Sequence, residues 1–184
     1  MRLILLSCFI FLGILGCSPK PLPEKAPVKR FVMPNENLTP AEVFVKDRIQ
    51  KEGIHVVHFW APWCGNSIAE LKSGWYETVR AFENDERVTF TFVTIWNQGK
   101  SGRDVLNRYL IPETVNEQVL PDFGNSEEYI HRRRIFLGLP VTWTPTTWVF
   151  NRSGQLAYAF NYGEVTAEKL KGAIDDARAS WHHE

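Results

Sequence analysis

Three cysteines could do chemistry in this chain: Cys8, Cys17 and Cys64. The first two fall in an N-terminal apolar stretch. The part that can fold therefore holds one thiol, Cys64, and no internal disulfide framework is possible there. Cys64 stands between an apolar, β-branched run at 54–60 and a stretch in which Ile68, Leu71, Trp75, Val79 and Phe82 recur at helical spacing. At the start of a helix, backbone N–H groups are unpaired and the helix dipole is positive. Both favour the thiolate, which is the nucleophilic form. The competing reading is an inert core thiol, because free cysteine is often buried.

The elements that must position this thiol can be read along the chain. Thr39-Pro40-Ala41-Glu42 is a capping box with proline at the first helical position. Ala41, Phe44, Val45 and Ile49 continue it as a helix, and Gly53 is a fitting stop. A buried strand follows at 54–60, then a turn at Ala61-Pro62-Trp63, the helix after Cys64, and a second strand at 88–96. Between 97 and 140 the pattern is less regular. Val105, Leu106, Tyr109 and Leu110 predict a short helix ended by Pro112, residues 118–120 a short strand, and Tyr129, Ile130, Phe136 and Leu137 a helix near 126–137. Residues 146–150 and 156–160 read as strands joined by the turn Asn151-Arg152-Ser153-Gly154. Leu170, Ile174, Ala177 and Trp181 mark a final helix. Strands that alternate with helices and then end in a hairpin predict an α/β fold: a mixed central sheet with helices on both faces.

The 184 residues are 44% hydrophobic and 23% charged, enough for one domain with a real core. Lysine plus arginine and aspartate plus glutamate both number 21, so net charge gives no reason to expect nucleic acid as a partner. Arg2 and the apolar residues 3–15 are too short for a comfortable membrane span and suit a signal peptide. Ile14-Leu15-Gly16-Cys17-Ser18 resembles the bacterial lipobox, which implies lipidation at Cys17 after cleavage; an ordinary signal peptide cleaved nearby or an uncleaved anchor is the alternative. Pro19, Pro21, Pro23, Pro27 and Pro34 make the next stretch an extended tether. The expected map is a signal peptide at 1–16, a lipidated cysteine and tether at 17–38, and a domain at 39–184. The protein is then exported to the periplasmic side and anchored to a membrane through Cys17. In a Gram-negative cell, Ser18 favours the outer membrane.

Val57-His58-Phe59-Trp60-Ala61-Pro62-Trp63-Cys64-Gly65 resembles the thioredoxin active-site segment. Thr144-Pro145-Thr146-Thr147-Trp148-Val149-Phe150, with the turn that follows, resembles the family's cis-proline loop and hairpin. With the export signal and tether, the chain is most similar to membrane-anchored TlpA/ResA-type proteins over residues 40–181. The resemblance implies a thioredoxin-like fold with a central insertion. Pro145 is then cis and faces Cys64, Thr144 presents its backbone to an extended peptide, and Trp63 and Trp143 flank the site. It implies no cofactor and no metal. Partners are exported proteins with cysteines or disulfides, or a small thiol.

Two positions depart from the family. Its second cysteine would be residue 67, which is Ser67. Serine forms no disulfide and cannot resolve a mixed disulfide, although it can hydrogen-bond a nearby thiolate. His58 stands where many thioredoxins have a buried Asp; it reads as a core histidine or a proton donor near Cys64. Other histidines carry less. His182 and His183 are terminal, and His131-Arg132-Arg133-Arg134 reads as the wet face of a helix. Copper-handling relatives need a second cysteine. One-cysteine peroxidases carry Thr or Ser where this chain has Ala61. Two functions remain: thiol-disulfide exchange through the single thiol Cys64, with Ser67 beside it, or a redox-inactive groove that binds a partner.

Overall fold

A computed structural model describes residues 33–127 and 131–179. The expectations for the signal peptide, Cys17, most of the tether, Tyr129, Ile130, Trp181, His182 and His183 lie outside the described residues. The described residues belong to one compact unit.

Helix α1 (Pro40–Ile49) starts as the sequence predicts. Thr39 Oγ1 accepts from the Glu42 N–H, and Glu42 Oε2 accepts from the Thr39 N–H at 2.9 Å. Strand β1 (Ile54–Trp60) is buried at every residue, as a strand covered on both faces must be. Its side chains divide by parity. Ile54, Val56 and Trp60 join one core cluster, Val57 and Phe59 the other.

After β1 come α2 (Gly65–Glu70), a π-helical turn (Leu71–Trp75) and α3 (Tyr76–Ala81), which run on as one kinked helix. The kink falls at Gly74, with φ 122°. A π turn disturbs the helical ladder, and two hydroxyls take up carbonyls there. Ser73 Oγ donates to Glu70 O at 2.9 Å and Thr78 Oγ1 to Gly74 O at 2.8 Å. Strand β2 (Val88–Thr94), helix α4 (Arg103–Arg108) and strand β3 (Asn116–Val119) follow. Among the described residues the predicted helix near 126–137 is helical at Glu127 and is not formed over 131–137. Arg132–Arg134 is a single 3-10 turn, and Ile135–Phe136 (β4) pairs with Leu139–Pro140 (β5). Leu137 and Gly138 both have positive φ, which a helix through 137 excludes. The hairpin is β6 (Thr146–Phe150) and β7 (Leu156–Asn161), and α5 (Ala167–Arg178) closes the fold.

The sheet order is β3-β2-β1-β6-β7. β1, β2 and β3 run parallel, whereas β6 is antiparallel to β1 and to β7. This is the predicted mixed sheet flanked by helices. Leu71, Trp75 and Val79 of the kinked helix cover one face with Leu170, Ile174 and Ala177 of α5. Ala41, Val45 and Ile49 of α1 cover the other with Leu120, Phe136, Leu137 and Val141 of the insertion. Removing a core ring such as Phe59 from this packing would cost about 3–5 kcal/mol.

Glu42 ties the insertion to α1. It is 1% exposed. Its carboxylate pairs with Arg132 and accepts the Leu137 N–H at 2.9 Å. Burial alone would push this carboxyl up, but Arg132 and the Thr39 and Leu137 donors outweigh it and hold it below the usual carboxylate value.

Candidate active site

Cys64 is the N-cap residue of α2, at the carboxyl end of β1, where the parallel strands open. Its backbone is extended (φ −83°, ψ 118°), and its carbonyl accepts from Ile68 N–H at 3.1 Å to start the helix. The thiol is half-buried. Sγ donates to the Thr144 carbonyl at 3.5 Å, a weak contact to a residue 80 positions away. The Thr144–Pro145 peptide is cis, and Pro145 is buried.

Ser67 lies one helical turn on and is fully buried. Its Oγ accepts from the Ala61 N–H at 3.2 Å and shares a hydrogen bond with Thr144 Oγ1 at 3.1 Å. Ser67 thus joins the loop before Cys64 to the loop across from it. Trp63 and Trp143 are 61% and 65% exposed, large apolar surfaces on the active loop and beside Thr144. Trp63 is held in place: its Nε1 donates to the Trp96 carbonyl at 2.9 Å. The structure therefore brings Cys64, Ser67 and Thr144 together, with Pro145 and Trp143 next to them in chain and Trp63 on the neighbouring loop. Cys17 lies outside the described residues.

His58 is a core residue. It is 0% exposed, packed on the rings of Trp75 (4.3 Å between centroids) and Phe92 (4.9 Å). Nδ1 hydrogen-bonds with Thr147 Oγ1 at 2.9 Å, and Nε2 has no partner. Burial pushes its pKa down to about 3, so the ring is neutral at physiological pH. Among the described residues no cluster of three or more metal-ligating side chains exists.

Two residues at or near the site carry no motif. Glu70 is three positions after Ser67 and 5% exposed, and neither carboxylate oxygen has a donor at good hydrogen-bond geometry, the Trp75 ring and the Gly163 backbone being its looser polar neighbours. Burial pushes its pKa up to about 7, against smaller pulls from the Trp75 side chain and the Gly163 backbone. It stands three positions after Ser67 and four before Gly74, a spacing that a solvated helical acid shares, so the sequence did not mark it. Trp96, at φ 53°, supplies the carbonyl that holds Trp63, and nothing in its sequence neighbourhood marks it.

No family model and no curated protein matches the chain. Solved structures do. A DsbF homologue from Corynebacterium diphtheriae aligns with a TM-score of 0.52 at 22% identity, over 69% of this chain and 73% of that one. A thiol:disulfide interchange protein of the thioredoxin family from Chlorobium tepidum aligns with a TM-score of 0.52 at 17% identity, over 72% and 83%. At such identities the likeness establishes architecture. The fold is thioredoxin-like, a mixed sheet flanked by helices.

Proposed function

We propose that the protein exchanges thiols and disulfides through Cys64 alone. The thiolate attacks one sulfur of a partner disulfide, forming a Cys64 mixed disulfide and releasing the other sulfur as a thiolate. A second thiolate, from the partner or a small molecule, then attacks the mixed disulfide. It takes over the bond and returns Cys64 to its starting form. Ser67 supports the cis-proline loop and cannot intercept the intermediate. Trp63, Trp143, Thr144 and Pro145 shape the surface that receives an extended, cysteine-bearing segment. The observation that carries this reading is Cys64 Sγ at 3.5 Å from the Thr144 carbonyl, half-buried on a face bounded by two exposed tryptophans.

The same proposal includes export and anchoring: a signal peptide at 1–16, lipidation at Cys17, a tether to residue 38 and the domain from 39. Its support is the Ile14-Leu15-Gly16-Cys17-Ser18 sequence and the prolines that follow. Among the described residues no helix is long and apolar enough to cross a membrane. Partners would be exported proteins on the periplasmic side of a membrane, the outer one in a Gram-negative cell.

A second reading has its own observation. The Ser67 hydroxyl is fully engaged and His58 is locked in the core, so the groove could bind a peptide without covalent chemistry. The test is the soluble domain with a peptide disulfide. Wild type should form a reductant-sensitive adduct, Cys64→Ser none, and Ser67→Cys a short-lived adduct that resolves within the chain. Peptide binding that is unchanged in Cys64→Ser, with no adduct in wild type, would establish the non-covalent reading instead.

A further inference from the structure

The insertion reaches the active loop through two hydrogen bonds. Trp63 Nε1 donates to the Trp96 carbonyl, and Trp96 Nε1 donates to the Arg133 carbonyl, each at 2.9 Å. Trp96 stands two residues past β2. Just before it, Ile95 N–H donates to the Trp60 carbonyl at 2.9 Å, which sets Trp96 beside the turn that follows β1. Its φ of 53° lies in the left-handed region, which a bulky residue occupies only when its surroundings hold it there. Here the ring is half-buried against the core cluster on the α1 side, and its N–H is taken by Arg133.

The far end of this chain of contacts is firm. Arg132 pairs with the Glu42 carboxylate and donates to the Ile135 carbonyl at 2.9 Å. Val141 N–H donates to the Arg134 carbonyl at 2.7 Å, and Arg134 N–H to the His131 carbonyl at 3.0 Å. The 132–134 turn is therefore tied to α1 and to the end of the β4-β5 hairpin. The near end meets the nucleophile. Cys64 directly follows Trp63, and its N–H closes the Ala61 turn at 3.0 Å. Ala61 N–H donates to Ser67 Oγ at 3.2 Å, a bond between the loop and its own helix. The Trp63 indole ties the same turn outward, to Trp96.

We propose that Trp96 is a positioning residue for Cys64, held in place by the 132–134 turn, so that the insertion fixes the nucleophile without touching a substrate. This rests on the thiol-exchange reading. A thiolate must meet a disulfide along the S–S axis, so a turn free to leave that alignment reacts less often. Tryptophan suits the position because its indole carries one donor at the rim of a flat, rigid ring. Phenylalanine fills similar space and cannot make the bond.

The experiment uses the full chain with Cys8→Ser and Cys17→Ser, so that Cys64 is the one thiol, and neutral 2,2′-dithiodipyridine. Cys64 thiolate attacks one sulfur, the Cys64 pyridyl disulfide forms, and 2-thiopyridone leaves and is counted. Trp96→Phe keeps the carbonyl that Trp63 uses and removes the donor to Arg133. It should slow the reaction at least about threefold. It should also speed hydrogen exchange of the Trp63 indole N–H, read by NMR, about fivefold or more. Trp63→Phe should slow the reaction too, and the double variant should be no slower than the slower single, because both break one chain of contacts. Arg133→Gln leaves the accepting carbonyl in place and should change neither readout. A folded Trp96→Phe protein that reacts at the parent rate, single effects that multiply in the double variant, or an Arg133→Gln effect as large as that of Trp96→Phe would overturn the positioning role. Should Trp96→Phe not fold, Glu42→Gln loosens the turn at its other tie; it must speed Trp63 exchange, and unchanged exchange there sinks the proposal. If the folded parent does not react at all, the thiol-exchange reading fails and the positioning role with it; if it reacts and the variants do not slow it, the positioning role alone fails.

Discussion

At the scale of single residues, the two buried titratable groups nearest the kinked helix pull stability in opposite directions. The folded pKa of Glu70 is raised, from 4.5 to about 7. Between those values the unfolded chain releases the proton and the folded chain keeps it, so stability falls as pH rises through the window and is level above it. At about 1.36 kcal/mol per unit, the loss amounts to about 3 kcal/mol. His58 is depressed, from 6.5 to about 3, so its penalty develops as pH falls through that range. Glu70→Gln should therefore be more stable than wild type by up to about 3 kcal/mol at mildly alkaline pH, converging with it below about pH 4.5, as read by urea unfolding. Equal stability at alkaline pH would mean that the carboxylate finds a partner when ionised. Cys64, Ser67 and Thr144-Pro145 were legible in the sequence because they sit in motifs. Glu70 was not, because an acid in a helix looks like a solvated residue until the packing around it is known.

At the scale of elements, the helix after Cys64 is bent where its glycine stands. Gly74 has φ 122°, and a Cβ there would lie 2.7 Å from the Ala167 Cβ of α5. Gly74→Ala meets both backbone strain and a clash. It should cost about 1–3 kcal/mol, seen as a lower thermal midpoint, with Cys64 still reactive in the folded protein. An unchanged midpoint would show that the helix can straighten at no cost. The sequence carried the helix but not its bend. Leu71, Trp75 and Val79 have ordinary spacing, and a π turn absorbs its extra residue without breaking the apolar face. The insertion was misread for a related reason. Phe136 and Leu137 follow apolar residues at a spacing of seven, but they enter the core from a short hairpin rather than from a helix.

At the scale of the whole molecule, Glu42 joins α1 to the insertion, far apart in sequence. Removing its carboxylate leaves the Leu137 N–H without its acceptor and Arg132 without its counter-charge, held only by the Ile135 carbonyl. Glu42→Ala should lose about 3 kcal/mol, and amide exchange over residues 132–141 should accelerate more than in the sheet. Uniform acceleration would mean that the insertion unfolds only with the domain. The fold class was legible from alternating strands and helices, whereas this tie depends on a side-chain meeting across 90 positions that no local pattern encodes. Sheet order has a further consequence for how the chain is made. β1 lies between β2 and β6, and the cross-strand partners His58 and Thr147 are 89 positions apart. A chain delivered N-terminus first must therefore carry an apolar strand with one open edge until its closing stretch arrives, a hazard for self-association. A nascent chain that stops before residue 144 has its nucleophile already, but neither the loop that faces it nor the strand that closes the sheet beside it.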